Sequence, residues 1–272
     1  MLFIKKILFN IIIAFVYAVL SRLIINYSVS NYFESDDIFI LKILSYIPIM
    51  IFTIFQIWKN KEIFNFEFLF KNNLVSAMLI FIIVYFSLYN KISLINDKSF
   101  NISYLLFISF FIQCIMTGIF EEIFCRVLIY GYVSKHFEKT KYSMLKSILF
   151  TSTIFSLMHL TGLFNKDLDF ISVINQVLFA FIMGIFLNSV FIISKNLLLV
   201  IIMHGMFNFN GMFKSKVLQR NITINDVNQS NMDDFIQSFF TFALFGILIA
   251  LPILIVALKN KKFFLIKNND TI

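Results

Sequence analysis

The chain has 272 residues, of which 60% are hydrophobic and only 14% are charged, well below the roughly 25% charged residues of soluble domains. A soluble domain could not bury this much apolar surface, so the composition excludes that class and predicts an all-α, polytopic membrane bundle. The formal net charge is +8. Its basic residues lie mainly in short loops between apolar runs, as in membrane proteins, so no nucleic-acid partner is expected.

About eight apolar segments have the length of transmembrane helices. The fourth is unusually long, the seventh is short, and Pro48 and Pro252 are expected to kink the second and the eighth. No internal repeat or low-complexity linker divides the chain, so 1–272 is predicted to be a single integral membrane domain. The predicted spans run roughly over 7–27, 38–58, 73–90, 103–133, 144–164, 170–193, 196–212 and 235–258.

The distribution of basic residues predicts a multi-pass protein of the cell membrane with both termini in the cytoplasm. Lys and Arg are more numerous in the loops that are then internal than in the external ones. The first apolar run lacks a small-residue cleavage site, which favours a retained span over a signal peptide. Arg22 and Lys42 lie near the outer ends of the first two spans, where their side chains are expected to snorkel to the interface.

Three charged residues, Glu121, Glu122 and Arg126, lie well inside the fourth span. Each charge near the bilayer centre costs on the order of 2.5–3.5 kcal/mol, so such residues need a partner or a function. Glu122 and Arg126 are four residues apart and can pair on one helical face. Glu121 lies about 100° around the helix and has no obvious partner in its own span. An unpaired carboxylate in this position is suited to act as a general base.

Two further spans carry buried polar side chains at a similar depth. His159 ends an apolar run in the fifth span, and His204 and Asn208 share a face of the seventh because they are four residues apart. Gly205 permits a close helix–helix approach. Each histidine taken alone is also compatible with a structural hydrogen bond. Together with Glu121 they can form a polar chamber that activates a water molecule, with or without a metal.

The ordered motifs resemble those of the CPBP family, the CAAX proteases and bacteriocin-processing enzymes that are also called the Abi family. The sequence from Glu121 to Arg126 matches EExxxR, that from Phe155 to His159 matches FxxxH, and His204 to Asn208 matches HxxxN. Each motif alone is a weak signal, but the three in this order on successive spans are a strong one. They place the catalytic half of the protein at about 104–212.

The resemblance implies an intramembrane endopeptidase similar to type II CAAX prenyl endopeptidases, with a hydrophobic peptide or a membrane protein as substrate. Glu121 is then the base, Glu122 and Arg126 are a supporting pair, and His159, His204 and Asn208 hold the water and stabilise the oxyanion. The family is usually described as metalloproteases, which makes His159 and His204 candidate ligands of a divalent metal such as zinc. The HExxH spacing of familiar zinc sites is absent, so a metal-free water is equally compatible.

Two other functions remain open at the level of sequence. Intramembrane Glu and His also form proton relays, so a proton-coupled transporter is an alternative, although no repeat symmetry supports it. A non-catalytic membrane immunity protein is the other. For a peptidase, bacteriocin processing, self-immunity and peptide-signal maturation are all compatible biological roles.

Overall fold

The computed structural model describes residues 2–31, 38–64, 74–96, 103–164, 169–213, 217 and 232–259, and this part of the chain folds as eight helices. The all-α prediction is confirmed. Helices α1 to α3 are Leu2–Asn31, Ile38–Lys59 and Leu74–Asn96, with a short 3₁₀ turn at Lys61–Ile63 after α2. Helix α4 is Tyr104–Phe137, α5 is Ser143–Met158 followed by a 3₁₀ turn at His159–Phe164, α6 is Phe170–Ser194, α7 is Leu197–Phe213 and α8 covers 232–259.

Six of these helices are long and apolar enough to cross a membrane, and the protein is therefore a multi-pass membrane protein. They are α1, α2, α4, α5 with its 3₁₀ turn, α6 and the C-terminal part of α8. Helix α4 has 34 residues and α7 has 17, so the predictions of a long fourth and a short seventh span are confirmed. The cytoplasmic position of the termini remains a prediction.

Two helices contain π-helical turns that the sequence analysis did not predict. In α4 the α-helix Tyr104–Glu122 continues as a π-helix over Ile123–Ile129 and returns to α-helix at Tyr130–Phe137. In α8 a π-helix over Gly246–Ala250 lies just before Pro252. Proline lacks an N–H and clashes with the carbonyl four residues earlier, which a π-turn relieves. Pro48, by contrast, lies within a continuous α2.

Helices α4 and α7 cross at two glycines, and this crossing sets the geometry of the site. A Cβ added to Gly118 would lie 2.9 Å from the backbone oxygen of Ile201 and 3.1 Å from the nitrogen of Gly205. A Cβ added to Gly205 would lie 2.8 Å from Ile115 Cδ1. Side chains at either position would force the backbones apart. The two helices therefore touch one turn from Glu121 and Glu122 on α4 and next to His204 on α7.

A short connection fixes the start of α7 against the end of α6. Lys195 ends α6 in the left-handed conformation with φ of 52°. Asn196 is buried, and its side-chain oxygen accepts a hydrogen bond from the backbone N–H of Leu199 at 3.0 Å. This buried side chain caps the N-terminus of α7. The cap fixes the position along the bundle at which α7 begins.

Candidate active site

Glu122 is the best-fixed polar residue of the site. Its Oε2 lies 2.9 Å from Nε of Arg126, and both side chains are fully buried. The predicted pair of Glu122 and Arg126 is therefore confirmed. Its other oxygen, Oε1, accepts a hydrogen bond from Nδ1 of His204 at 2.7 Å. The contact between Glu122 and His204 was not predicted, because these two residues are 82 positions apart.

The contact with Glu122 also fixes the orientation and tautomer of His204. A carboxylate paired with Arg126 is ionised and can only accept hydrogen bonds, so Nδ1 of His204 must carry a proton and donate it. The other ring nitrogen, Nε2, is then directed toward Glu121, whose Oε2 lies 3.5 Å away. His204 is thus held between the two glutamates.

Glu121 differs from its neighbour in both exposure and bonding. Its side chain is 22% exposed, whereas that of Glu122 is fully buried. Within the described part of the chain, Oε2 of Glu121 and Oε2 of Glu122 are both buried and accept no hydrogen bond, but Oε2 of Glu122 lies 2.9 Å from Nε of Arg126. The sequence analysis predicted that Glu121 lacks a partner on its own helix, and the geometry agrees. Glu121 is the carboxylate in this cluster that retains acceptor capacity for a new ligand.

Phe155 lies between the charged pair and the two histidines. The guanidinium carbon Cζ of Arg126 stands 4.7 Å from the centre of its ring. The rings of His159 and His204 meet it edge-on, with centroids 5.0 and 5.7 Å away. Cation–π and edge-to-face contacts of this kind fix side-chain positions in an apolar setting. The sequence analysis named Phe155 as part of a motif and assigned it no role.

His159 stands at the point where α5 changes to the 3₁₀ turn. Its Nδ1 lies 2.9 Å from the backbone oxygen of Phe155. A carbonyl oxygen can only accept, so Nδ1 carries the proton and, in the neutral ring, Nε2 keeps its lone pair. His159 therefore offers an acceptor to the site, with its ring oriented by its own helix.

Asn208 lies one turn beyond His204 on α7 and is half-buried. Over the residues described, no hydrogen bond connects its side chain with the other five predicted site residues. The fold thus brings five of the six into one contact network through Phe155. Asn208 shares the helical face of His204 without joining that network.

Two residues near the site, Arg22 and Tyr46, were not predicted from the sequence to contribute to it. Arg22 was expected to reach the membrane interface, but its Nη1 donates to the backbone oxygen of Thr161 at 2.9 Å, and it interacts electrostatically with Glu121. Tyr46 on α2 shares a hydrogen bond of 2.9 Å with Thr117, one turn before Glu121 on α4. Arg22 was recognised in the sequence as a cation near the end of a span, but it was assigned to the membrane interface. No feature of the sequence around Tyr46 indicated a contribution to the site.

The geometry of the site bears on the predicted metal ligands, His159 and His204. Two ligands of a tetrahedral zinc ion lie roughly 3.4 Å apart, close to the 3.5 Å between Nε2 of His204 and Oε2 of Glu121. A catalytic zinc needs three protein ligands, and no group of three or more His, Cys, Asp or Glu among the described residues is arranged to hold a metal. The residues present do not form such a set, and metal binding by His159 and His204 stays a prediction.

The segment that contains this site is similar to a known protein family. Residues 103–210 match the family described as type II CAAX prenyl endopeptidase Rce1-like. Neither the curated proteins nor the solved structures that were searched include a match. The matched segment runs from the start of α4 nearly to the end of α7 and includes all six predicted site residues. The protein is therefore a multi-pass membrane protein whose residues 103–210 match the Rce1-like family of type II CAAX prenyl endopeptidases.

Proposed function

We propose that this protein is an intramembrane endopeptidase that hydrolyses a peptide bond of a hydrophobic or membrane-associated peptide, using a water molecule activated by Glu121. The observation that supports this function best is the arrangement of two glutamates around His204. Glu122 bonds to Nδ1, and Glu121 lies 3.5 Å from Nε2 with an oxygen that accepts no hydrogen bond within the described chain. Glu122 is thus held by Arg126 and His204, whereas Glu121 is available to bind a water molecule.

In the first step, Glu121 acts as the general base. A water molecule donates one proton to Glu121 while its oxygen attacks the carbonyl carbon of the substrate. A C–O bond forms, the carbonyl π bond opens, and its electron pair moves onto the carbonyl oxygen. General base catalysis of this kind contributes about 10²–10⁴-fold to a rate.

In the second step, the tetrahedral intermediate collapses. The proton held by Glu121 moves to the amide nitrogen, and the C–N bond breaks. The products are a new carboxyl group and a free amine, and Glu121 is returned to its ionised form. One residue serves as base and then as acid, so the chemistry needs only one such carboxylate.

The remaining residues prepare the site for charge on the substrate oxygen. With protons on both ring nitrogens, His204 donates to Glu122 from Nδ1 and stabilises the oxyanion from Nε2. Nε2 of His159 accepts a hydrogen bond from the second O–H of the water, which stays on the oxygen, and so orients the water. Asn208, on the same face as His204, supplies an amide donor to the oxyanion. Glu122 and Arg126 hold the imidazole and neutralise each other in the apolar interior.

Comparative peptidomics of cells that express the wild type or Glu121→Ala tests this function. The expected result is that one or more hydrophobic peptides or membrane proteins accumulate uncleaved in Glu121→Ala cells, with folded protein at wild-type abundance. Identical peptide profiles with an abundant, folded variant would contradict peptidase activity. The identity of the accumulating peptide then decides among bacteriocin processing, self-immunity and peptide-signal maturation.

Reconstitution separates the peptidase from the alternatives. Purified protein in lipid nanodiscs is expected to cleave the identified peptide, and Glu121→Gln is expected not to. A Glu121-dependent ion flux in vesicles without cleavage would instead favour a transporter. Protection from a bacteriocin that survives substitution of Glu121, His159 and His204 together would favour a non-catalytic immunity protein.

A further inference from the structure

Arg22 on α1 bonds to the turn that carries His159. Its Nη1 donates to the backbone oxygen of Thr161 at 2.9 Å, a contact between residues 139 positions apart. Arg22 lies within a candidate membrane span, Ile4–Ser28, and is half-buried. A guanidinium in such a segment is costly unless its donors are used. The contact with Thr161 uses one of them in a defined direction.

The carbonyl that Arg22 meets belongs to a helix end. Helix α5 ends at Met158, and His159–Phe164 continues as a 3₁₀ turn. The last carbonyls of a helix have no partner within it, and in a bilayer water is not at hand to satisfy them. Thr161 takes part in two hydrogen bonds: its backbone oxygen accepts from Arg22, and its hydroxyl donates to the backbone oxygen of Met158 at 2.9 Å. Arg22 therefore fixes the turn that begins at His159.

Arg22 also places a positive charge beside the proposed base. It interacts electrostatically with Glu121, with Tyr46 and with His159. Among the described carboxylates none lies within 4.0 Å of its guanidinium, so the charge of Arg22 acts on Glu121 across a gap rather than through a direct ion pair.

We propose that Arg22 is a positioning residue of the active site, because it holds the turn that begins at His159 through the Thr161 carbonyl. The inference rests on the proposed peptidase function. It extends the site to α1, which lies outside the segment matched by the family. The first helix thus contributes to catalysis without touching the reacting atoms.

Two variants and a matched control test this role. Arg22→Gln removes the charge, and Arg22→Lys keeps it but loses the planar fork of donors. Lys42→Gln is the control, because Lys42 is also a cation inside a candidate span, and its nitrogen lies 6.0 Å from the ring of Phe39, which is not a site residue. Cleavage of a quenched fluorescent peptide that carries the sequence identified by peptidomics gives kcat and KM in nanodiscs.

Misplacing a catalytic group by about 1 Å can cost roughly 10²-fold in rate. The expected result is therefore a fall in kcat of about 100-fold for Arg22→Gln and about 10-fold for Arg22→Lys, with KM nearly unchanged. Lys42→Gln should retain the wild-type kcat. If Arg22→Gln does not fold, Arg22→Lys decides the question.

Three results would overturn the inference. They are a wild-type kcat in a folded Arg22→Lys or Arg22→Gln protein, a loss confined to KM, and an equal loss of kcat in Lys42→Gln. A KM effect would instead make Arg22 part of substrate binding. Glu121→Gln is measured in parallel. If Glu121→Gln keeps its activity, the proposed function fails. A lower kcat of the Arg22 variants then no longer supports a positioning role for Arg22.

Discussion

Glu122→Gln separates the structural from the chemical role of the two adjacent glutamates. The substitution keeps the shape of the side chain and removes its charge. Glu122 and Arg126 are both fully buried and 2.9 Å apart, so the variant leaves an uncompensated guanidinium in an apolar interior. Breaking a buried ion pair by removing one partner costs about 3–5 kcal/mol. His204 also loses its charged acceptor at 2.7 Å.

The contrasting variant is Glu121→Gln. Glu121 is 22% exposed and its contact with His204 is long, at 3.5 Å, so little stability is expected to depend on it. Unfolding in mixed micelles with rising SDS, followed by the fluorescence of Trp58, the single tryptophan, measures both variants. Glu122→Gln is expected to unfold at clearly lower SDS, and Glu121→Gln close to the wild type. Both are expected to lose cleavage, by about 10²-fold or more for Glu121→Gln.

A double variant tests the cause of the instability. Adding Arg126→Met to Glu122→Gln removes the orphaned charge, and it should restore part of the lost stability without restoring cleavage. An unchanged unfolding midpoint for Glu122→Gln would refute the reasoning, because it would mean that Arg126 needs no buried counter-charge. Equal destabilisation by Glu121→Gln and Glu122→Gln would refute the division of roles between the two glutamates.

Further predictions concern the helix crossing, the oxyanion and the orientation. Gly118→Ala should destabilise the protein by about 1–3 kcal/mol and lower cleavage in the same assays, because the added Cβ would clash with the backbone of α7. Gly211→Ala is the control, since a Cβ there meets open space. It should change neither stability nor cleavage. Asn208→Ala should lower kcat by about 10²-fold with an unchanged SDS midpoint, and a wild-type kcat would remove Asn208 from the mechanism. With both termini in the cytoplasm, a membrane-impermeant maleimide should label Lys139→Cys only after permeabilisation and Lys91→Cys in intact cells, and the reverse pattern would invert the topology.

Sequence reasoning was sufficient wherever an interaction is local or depends only on the solvent. The helices follow from apolar length, because a bilayer requires each span to satisfy its backbone internally. The pair of Glu122 and Arg126 follows from their separation of four residues on one helix. The absence of a partner for Glu121 on its own helix follows from the same periodicity. None of these results depends on how the helices are arranged.

Sequence motifs also identified which distant residues belong together, but not how they meet. His204 was expected to face Glu121, and it does so because a second bond to Glu122 orients its ring. That bond depends on the crossing of α4 and α7 at Gly118 and Gly205, a distance between two backbones that spacing along one helix cannot give.

The contact of Arg22 with Thr161 shows most clearly what could not be predicted from the sequence. From the sequence, a cation near the end of a span has a sufficient explanation in the membrane interface. The tertiary structure decides otherwise, because it brings the unpaired carbonyl of a helix end on α5 within reach of α1. The chain by itself determined that there is a helical membrane bundle and that the carboxylate of Glu121 has no partner on its own helix. Packing alone decided which groups surround that carboxylate, since their positions depend on contacts across 82 and 139 residues of chain.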